Sequence, residues 1–287
     1  MILDCLMNIF EILKTATAIL HESGIAEPRR EANSLLAFAL QKDRTFLIAH
    51  SEYELSSEEE INFQTLLQRR SSRQPFQYIT GKQEFYGLDF IVSPDVLIPR
   101  SETELMVEAA IEILRVTENP RFCEIGVGSG CISVSILFES RTAMAIASDI
   151  SERALQTALK NAENHQVSER LELKISDVFD NLNNEKFDLI VSNPPYISGA
   201  DFIGLQTEVR EFEPQIALTD GKDGLSIIEK IIAHAPEFLK PNGFLLLEIG
   251  FNQSEKVRKM FSGNVWQTPE FLPDLQNIPR VVKVRYK

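Results

Sequence analysis

Long apolar runs are missing from this 287-residue chain. Nowhere does it reach the roughly 20 consecutive apolar residues that a helical membrane span needs, so no membrane association is expected. The stretch from Met1 to Leu20 comes nearest, but Asp4, Glu11 and Lys14 interrupt it and no basic segment precedes it. It reads as an amphipathic helix, not a signal peptide. Cysteine is scarce too: Cys5, Cys123 and Cys131 form no C-x-x-C pair and cannot all be bridged within one chain. A reducing cytoplasm is the simplest expectation. The four histidines, His21, His50, His165 and His234, are scattered without metal-ligand spacing. Neither a G-x-S-x-G elbow nor a G-x-x-x-x-G-K-[ST] phosphate loop is present. Basic charge is also in short supply, with 29 Lys and Arg against 42 Asp and Glu for a net charge of −13. Such a field repels a polyanion on average and argues against direct nucleic-acid binding.

What is there describes a globular protein. The apolar share of 44% and charged share of 25% suffice for a buried core, and the length suits two domains at roughly 150 residues each. Up to Gln77 the apolar spacing is helical: Ile9, Leu13, Ala16 and Leu20 mark one face, and Leu35, Leu36, Ala39 and Leu40 another. Ser57 with Glu60 reads as a capping box for a helix running through Phe63, Leu66 and Leu67. Residues 78–100 are punctuated by Gly81, Gly87, Pro94 and Pro99, with Phe85 to Val92 alternating as a hairpin does; they are expected to be a linker between domains. From 101 to 287 strand-like and helical segments alternate. The expected strands are Arg121–Ile125, Met144–Ser148, Leu171–Ile175, Phe187–Ser192 and Phe244–Ile249, with Val281–Tyr286 as a hairpin return; helices are expected over Cys131–Phe138 and Ser151–Asn164. The alternation predicts an α/β domain with a parallel sheet covered on both faces, behind a helical domain over 1–77.

Between the first of these strands and its helix lies Glu124-Ile125-Gly126-Val127-Gly128-Ser129-Gly130. Glycines there let the backbone turn sharply and approach a ligand in the crevice where open α/β sheets bind. The dinucleotide fingerprint G-x-G-x-x-G is not met, because Cys131 stands where its last glycine belongs. Asp149 ends the next strand, roughly 20 residues beyond Gly130, as expected for a carboxylate accepting from two ribose hydroxyls. Asp177 is placed to reach an adenine amino group and Val178 to pack on the ring. Together these residues suit a nucleoside cofactor without a pyrophosphate. The competing reading makes the glycines a tight connection and Asp149 a helix cap; the coincidence of the two signals favours the ligand.

Asn193-Pro194-Pro195-Tyr196 follows the strand Phe187–Ser192, at the same edge of the sheet. The two prolines fix φ, lack N–H donors and hold the preceding Asn193 extended. This suits a flat, weakly nucleophilic nitrogen such as an amide or arylamine, where catalysis rests on orientation. The Asn193 side-chain oxygen and the Pro194 carbonyl can accept its two N–H hydrogens and turn the lone pair toward the methyl of S-adenosylmethionine. Tyr196 supplies an aromatic face. In isolation, Asn-Pro and Pro-Pro would more often merely punctuate a loop.

With these motifs on the page, the chain closely resembles the protein-glutamine N5-methyltransferases that modify peptide-chain release factors, the PrmC or HemK family. The likeness runs through Gln77 to Gly81, Leu97 to Arg100, Thr103-Glu104, the glycine loop, Asn193 to Tyr196, Glu213-Pro214, Asp223 to Leu225, and Glu248 to Gly250 with Gln253. Ser101 departs from it, where the family has proline, and so does Val178, where some members have an aromatic residue. The resemblance implies a class I S-adenosylmethionine-dependent methyltransferase fold with a mostly parallel seven-stranded sheet, and a helical N-terminal domain that recognises substrate. The substrate it implies is the glutamine of the release factor's Gly-Gly-Gln motif, so the expected partner is a release factor and the enzyme is expected to be a cytoplasmic monomer acting in translation termination. Carried over, the cofactor contacts fall on Gly126, Val127, Gly128, Ser129, Gly130, Asp149, Val178 and Asn193, and the glutamine contacts on Asn193, Pro194, Pro195 and Tyr196. A sister family that methylates a ribosomal-protein glutamine shares the Asn-Pro-Pro-Tyr loop, but Gln253 and Glu208-Val209-Arg210 look more like the release-factor branch. Adenine-N6 methylation uses the same grip, but it calls for a basic target-recognition region to hold a flipped base.

Overall fold

The computed structural model describes residues 7–182, 185–261 and 263–287. Residues 1–6, the start of the expected N-terminal helix, lie outside that range, and Cys5 with them. Packing divides the chain into two units, one comprising the chain up to Gly81 together with Thr207–Phe212, the other Lys82–Gln206 and Glu213–Lys287. Lys82 onward therefore packs with the second unit, including the hairpin inside the segment read from sequence as a linker.

In the first unit, α1 (Ile9–Glu22), α2 (Pro28–Leu40), α3 (Arg44–Ala49), α4 (Ser57–Ser71) and α5 (Phe76–Thr80) follow one another. Asn8 opens α1 with a reciprocal capping box to Glu11, and Ile9, Ile12, Ala16 and Leu20 bury one stripe against Leu35, Leu36 and Phe63. The α4 capping box sits one residue earlier than the sequence suggests. Ser56 is the cap and Glu59 its partner, not Ser57 and Glu60. In a Ser-Ser-Glu-Glu-Glu run either register is available, and the observed one gives Glu59 an additional donor, the Tyr53 hydroxyl at 3.1 Å. Arg70 is 5% exposed and is paired with Glu31 and with Glu208 at 3.3 Å, while Arg73 holds the other oxygen of Glu208 at 2.6 Å. Glu208 thus neutralises a buried cation that would otherwise be costly.

The second unit opens with a hairpin of β1 (Lys82–Phe85) and β2 (Leu88–Ile91). There follow α6 (Glu104–Leu114), β3 (Arg121–Ile125), α7 (Cys131–Glu139), β4 (Met144–Asp149), α8 (Glu152–Asn164), β5 (Leu171–Ile175) and β6 (Phe187–Ser192). The short helices α9 (Gly199–Phe202) and α10 (Thr207–Phe212), the latter packed in the first unit, precede α11 (Ser226–His234), β7 (Leu239–Glu248), α12 (Ser254–Met260), β8 (Glu270–Pro273) and β9 (Pro279–Arg285). The seven-stranded sheet has the order β5-β4-β3-β6-β7-β9-β8, parallel from β5 to β7 and antiparallel at β7–β9 and β9–β8. Its central strands are buried on both faces, which is why they read as near-continuous apolar runs. Phe122, Val191 and Leu246 feed one cluster, and their neighbours Cys123, Ile190 and Leu245 feed the other.

Chain order reverses between β3, which leads on to β4, and β6, which returns to pair with β3 on its other side. That switch point opens a crevice at the carboxyl ends of the strands. Ile125 pairs with Ser148 on one side and Ser192 on the other. The next residues along the three strands, Gly126, Asp149 and Asn193, are therefore brought side by side at one edge of the sheet.

Candidate active site

A cavity of about 390 Å³ occupies that edge. Its wall includes Gly126, Val127, Gly128, Ser129, Asp149, Asp177, Val178, Asn193, Pro194 and Pro195, so ten of the residues singled out in the sequence meet there. Two do not line it. Gly130 sits behind the loop as the N-cap of α7, and the ring of Tyr196 packs among the core side chains beneath.

The glycine loop is held by β4: the N–H groups of Gly126 and Val127 both donate to the Ser148 carbonyl, at 2.8 and 2.9 Å. Gly126 and Gly128 have φ of +78° and +52°, and a Cβ built on either would meet nothing within 4 Å. The space over them belongs to the cavity, leaving room for a ligand against bare backbone. Asp149 steadies the same loop. One of its oxygens accepts from Gly128 N–H and the other from Ser151 N–H, each at 2.9 Å. A carboxylate has about four acceptor positions, so these backbone donors leave capacity for a ligand hydroxyl. Burial raises Asp149 above its ordinary value, although the backbone donors of Gly128, Ser151 and Ile150 pull the other way. Open glycine backbone, a carboxylate with spare acceptors and a largely apolar wall fit the nucleoside of S-adenosylmethionine.

At the far side of the cofactor cradle, Asp177 pairs with Lys230 at 3.1 Å. Val178 has φ +55°, a conformation that a β-branched residue rarely adopts. Its carbonyl accepts from the hydroxyls of Ser176 and Ser148, at 3.2 and 3.4 Å, which holds the strained peptide in place.

Several polar groups that the sequence reading left without a role prove to be structural supports. Glu124 is buried in β3 and accepts from both the N–H and the hydroxyl of Ser133; burial pushes its carboxyl up to about 8 despite these bonds. Glu213, 5% exposed, accepts from Ile98 N–H at 3.1 Å and from Arg100 at 2.5 Å, fixing the Leu97 to Arg100 stretch of the wall. Asp220 gathers the Ser226 hydroxyl and the N–H groups of Lys222, Ser226 and Gly224; these outweigh the effect of burial and hold its carboxyl at about 2. Gly224 so closely approaches Tyr196 that a Cβ would lie 2.1 Å from the Tyr196 carbonyl oxygen. Gln253 ties this region together, accepting from Gly250 N–H at 2.8 Å and donating to the Tyr196 carbonyl at 2.9 Å. The signal in sequence was a polar residue closing an apolar stretch: Glu124 in Phe-Cys-Glu-Ile, and Glu248 after Leu245-Leu246-Leu247. A buried strand tolerates such a residue only when partners are supplied.

Among the described residues no helix is long and apolar enough to cross a membrane, and no group of three or more His, Cys, Asp or Glu could hold a metal ion. The sheet and its crevice define a methyltransferase. Models of the PrmC N-terminal domain and the methyltransferase small domain match residues 11–81 and 103–209. The fold is similar to that of a methyltransferase from Pyrococcus furiosus, with a TM-score of 0.51 at 17% identity over 70% of this chain and 90% of that one. The release factor glutamine methyltransferase of Geobacter sulfurreducens is 42% identical over 275 residues, covering 96% of this chain and 95% of the relative. That of Koribacter versatilis is 38% identical over 277 residues, covering 96% and 98%. The chain belongs to the release factor glutamine methyltransferase family.

Proposed function

We propose that this protein transfers a methyl group from S-adenosylmethionine to the side-chain amide nitrogen, N5, of the glutamine in the Gly-Gly-Gln motif of a peptide-chain release factor. The observation that carries the reading is the adjacency of an open glycine cradle, Asp149 and the proline-stiffened Asn193 on one cavity wall. When bound, S-adenosylmethionine supplies a methyl group made electrophilic by its sulfonium. Gly126 to Ser129 and Asp149 hold the nucleoside, Asp149 accepting from the ribose hydroxyls, with Asp177 and Val178 beside the adenine.

An amide nitrogen is a poor nucleophile because its lone pair is delocalised into the carbonyl. Asn193 Oδ1 and the Pro194 carbonyl accept its two N–H hydrogens, polarise the N–H bonds and aim the lone pair at the methyl carbon. The two prolines fix the backbone that carries both acceptors in advance, so little reorganisation is needed as charge develops. Pro195 stiffens the loop, and Tyr196 supports it from beneath. The cationic product nitrogen is strongly acidic and sheds its proton without a dedicated base.

The test is to incubate the protein with labelled S-adenosylmethionine and, separately, a release factor, a ribosomal protein and DNA, and to map any methyl by mass spectrometry. The expected product is N5-methylglutamine in the release factor. Label confined to DNA, to the ribosomal protein or to a release-factor residue other than glutamine would overturn the reading.

A further inference from the structure

The carboxylate of Glu248 lies outside the cavity wall, is 2% exposed and takes no part in the chemistry described so far. Each of its oxygens receives one hydroxyl. Thr103 Oγ1 donates to Oε2 at 2.6 Å, and the Tyr196 hydroxyl donates to Oε1 at 3.1 Å. Thr103 Oγ1 also lies 3.3 Å from Nδ2 of Asn193, and Thr103 itself is 2% exposed.

A hydroxyl carries a single proton, and that of Thr103 is committed to the carboxylate. Thr103 can therefore meet Asn193 only as an acceptor. The end of the Asn193 amide that faces Thr103 must be the NH₂, which turns Oδ1 the other way. Burial raises the Glu248 carboxyl above its ordinary value, while the Thr103 and Tyr196 hydroxyls pull it back toward the charged form; with one hydroxyl donated to each of its oxygens, it imposes this direction on the whole line of bonds.

We infer that Glu248, acting through Thr103, sets which way round the Asn193 amide sits and so keeps Oδ1, not Nδ2, available to the substrate nitrogen. The inference rests on the methyl-transfer reading above. A reversed amide would set N–H against N–H and leave the lone pair unaimed. Glu248 and Thr103 are positioning residues, since neither touches the reacting atoms, and Tyr196 belongs with them as the donor that occupies the second carboxylate oxygen.

Glu248→Gln keeps the shape but leaves one acceptor oxygen for two hydroxyls, and with its NH₂ end toward Thr103 it gives that hydroxyl a donor in place of an acceptor. The Thr103 proton is then free to go to Asn193 Oδ1, and the amide turns. The expected result is a fall in kcat of about 10²-fold, with KM, the melting temperature and the calorimetric affinity for S-adenosylhomocysteine close to those of the wild type. Thr103→Val, which leaves Glu248 in place, is expected to lose a similar factor, and Thr103→Ser to recover most of it. The double variant Glu248→Gln/Thr103→Val should be no worse than either alone. Glu248→Gln and Thr103→Val enzymes that both keep kcat within twofold of the wild type overturn the inference, as does a loss that Thr103→Ser shares in full. Neutron diffraction of the wild-type protein reads the amide directly: Oδ1 facing Thr103 overturns the inference whatever the activity. A wild-type protein that methylates no glutamine, but whose Nδ2 faces Thr103, overturns the functional reading and leaves the orienting role standing.

Discussion

At the scale of single residues, the site is governed by where hydrogen-bond acceptors are fixed. Asn193→Ala removes one of the two proposed acceptors for the substrate amide while leaving the glycine cradle intact. Turnover is expected to fall about 10²- to 10³-fold, with S-adenosylhomocysteine affinity changed much less; steady-state kinetics and calorimetry on the same preparation check the split. Glu124 makes a different prediction. Its folded-state carboxyl titrates at about 8 because burial disfavours the charge, against an ordinary value of 4.5. As pH rises past the lower value, the unfolded chain releases a proton that the folded chain retains. Stability contributed by this group is therefore lost progressively with rising pH, by at most about 1.4 kcal/mol per unit, until the folded carboxyl also ionises near 8. Glu124→Gln cannot titrate. Urea unfolding between pH 6 and pH 8 should show a shallower decline in the variant than in the wild type, and parallel declines would remove Glu124 as the cause.

Elements place these residues, and a single side chain joins several of them. Asn161 on α8 is fully buried; its Oδ1 accepts from Ile91 N–H at 2.7 Å, and its Nδ2 donates to the carbonyls of Ile91 and Ser129, at 2.9 and 2.8 Å. It thus fastens β2 and the glycine loop to the same helix. Asn161→Ala leaves three backbone groups without this partner and should cost roughly 2–4 kcal/mol, with weakened S-adenosylhomocysteine binding; chemical denaturation and calorimetry would show both.

How much of this was legible beforehand depends on whether a signal is local. The strands β3 and β6 could be read because buried parallel strands are apolar runs, β5 because Leu171, Leu173 and Ile175 alternate with polar residues, and α8 as the helical stretch from Ser151 to Asn164. The glycine loop and Asp149 were legible as a spacing along one strand-helix-strand unit, β3-α7-β4. β8 was missed: it is a four-residue edge strand with no buried residue, so no periodicity marks it. Asn161 was missed because its partners lie 32 and 70 positions away in sequence, and nothing in a helix sequence distinguishes a buried asparagine from a solvated one. The Thr103–Glu248 bond spans 145 positions, and its residues stood out only through the family resemblance.

For the whole molecule, the division into two units predicts more than one step on unfolding. Glu208 should affect one step selectively, because it pairs with Arg70 and Arg73 inside the helical unit. Glu208→Ala leaves a buried guanidinium with one fewer counter-charge and is expected to cost the helical unit about 3–5 kcal/mol. Differential scanning calorimetry should show its transition lowered while that of the sheet unit stays within a degree or so; equal displacement of both would mean that the two melt as one.

The short helix α10 makes the helical unit discontinuous in the chain. The polypeptide leaves that unit at Gly81, builds the glycine loop, β6 and the Asn193 loop, and then returns Thr207–Phe212 to it before resuming the sheet. A front half transplanted onto another catalytic core would arrive without Glu208, and a catalytic core taken alone would carry an orphaned insert. The two parts are thus poor modules for shuffling. Gene fusions that exchange whole segments at residue 81 should give unstable chimaeras unless the six-residue insert travels with its first-unit partners.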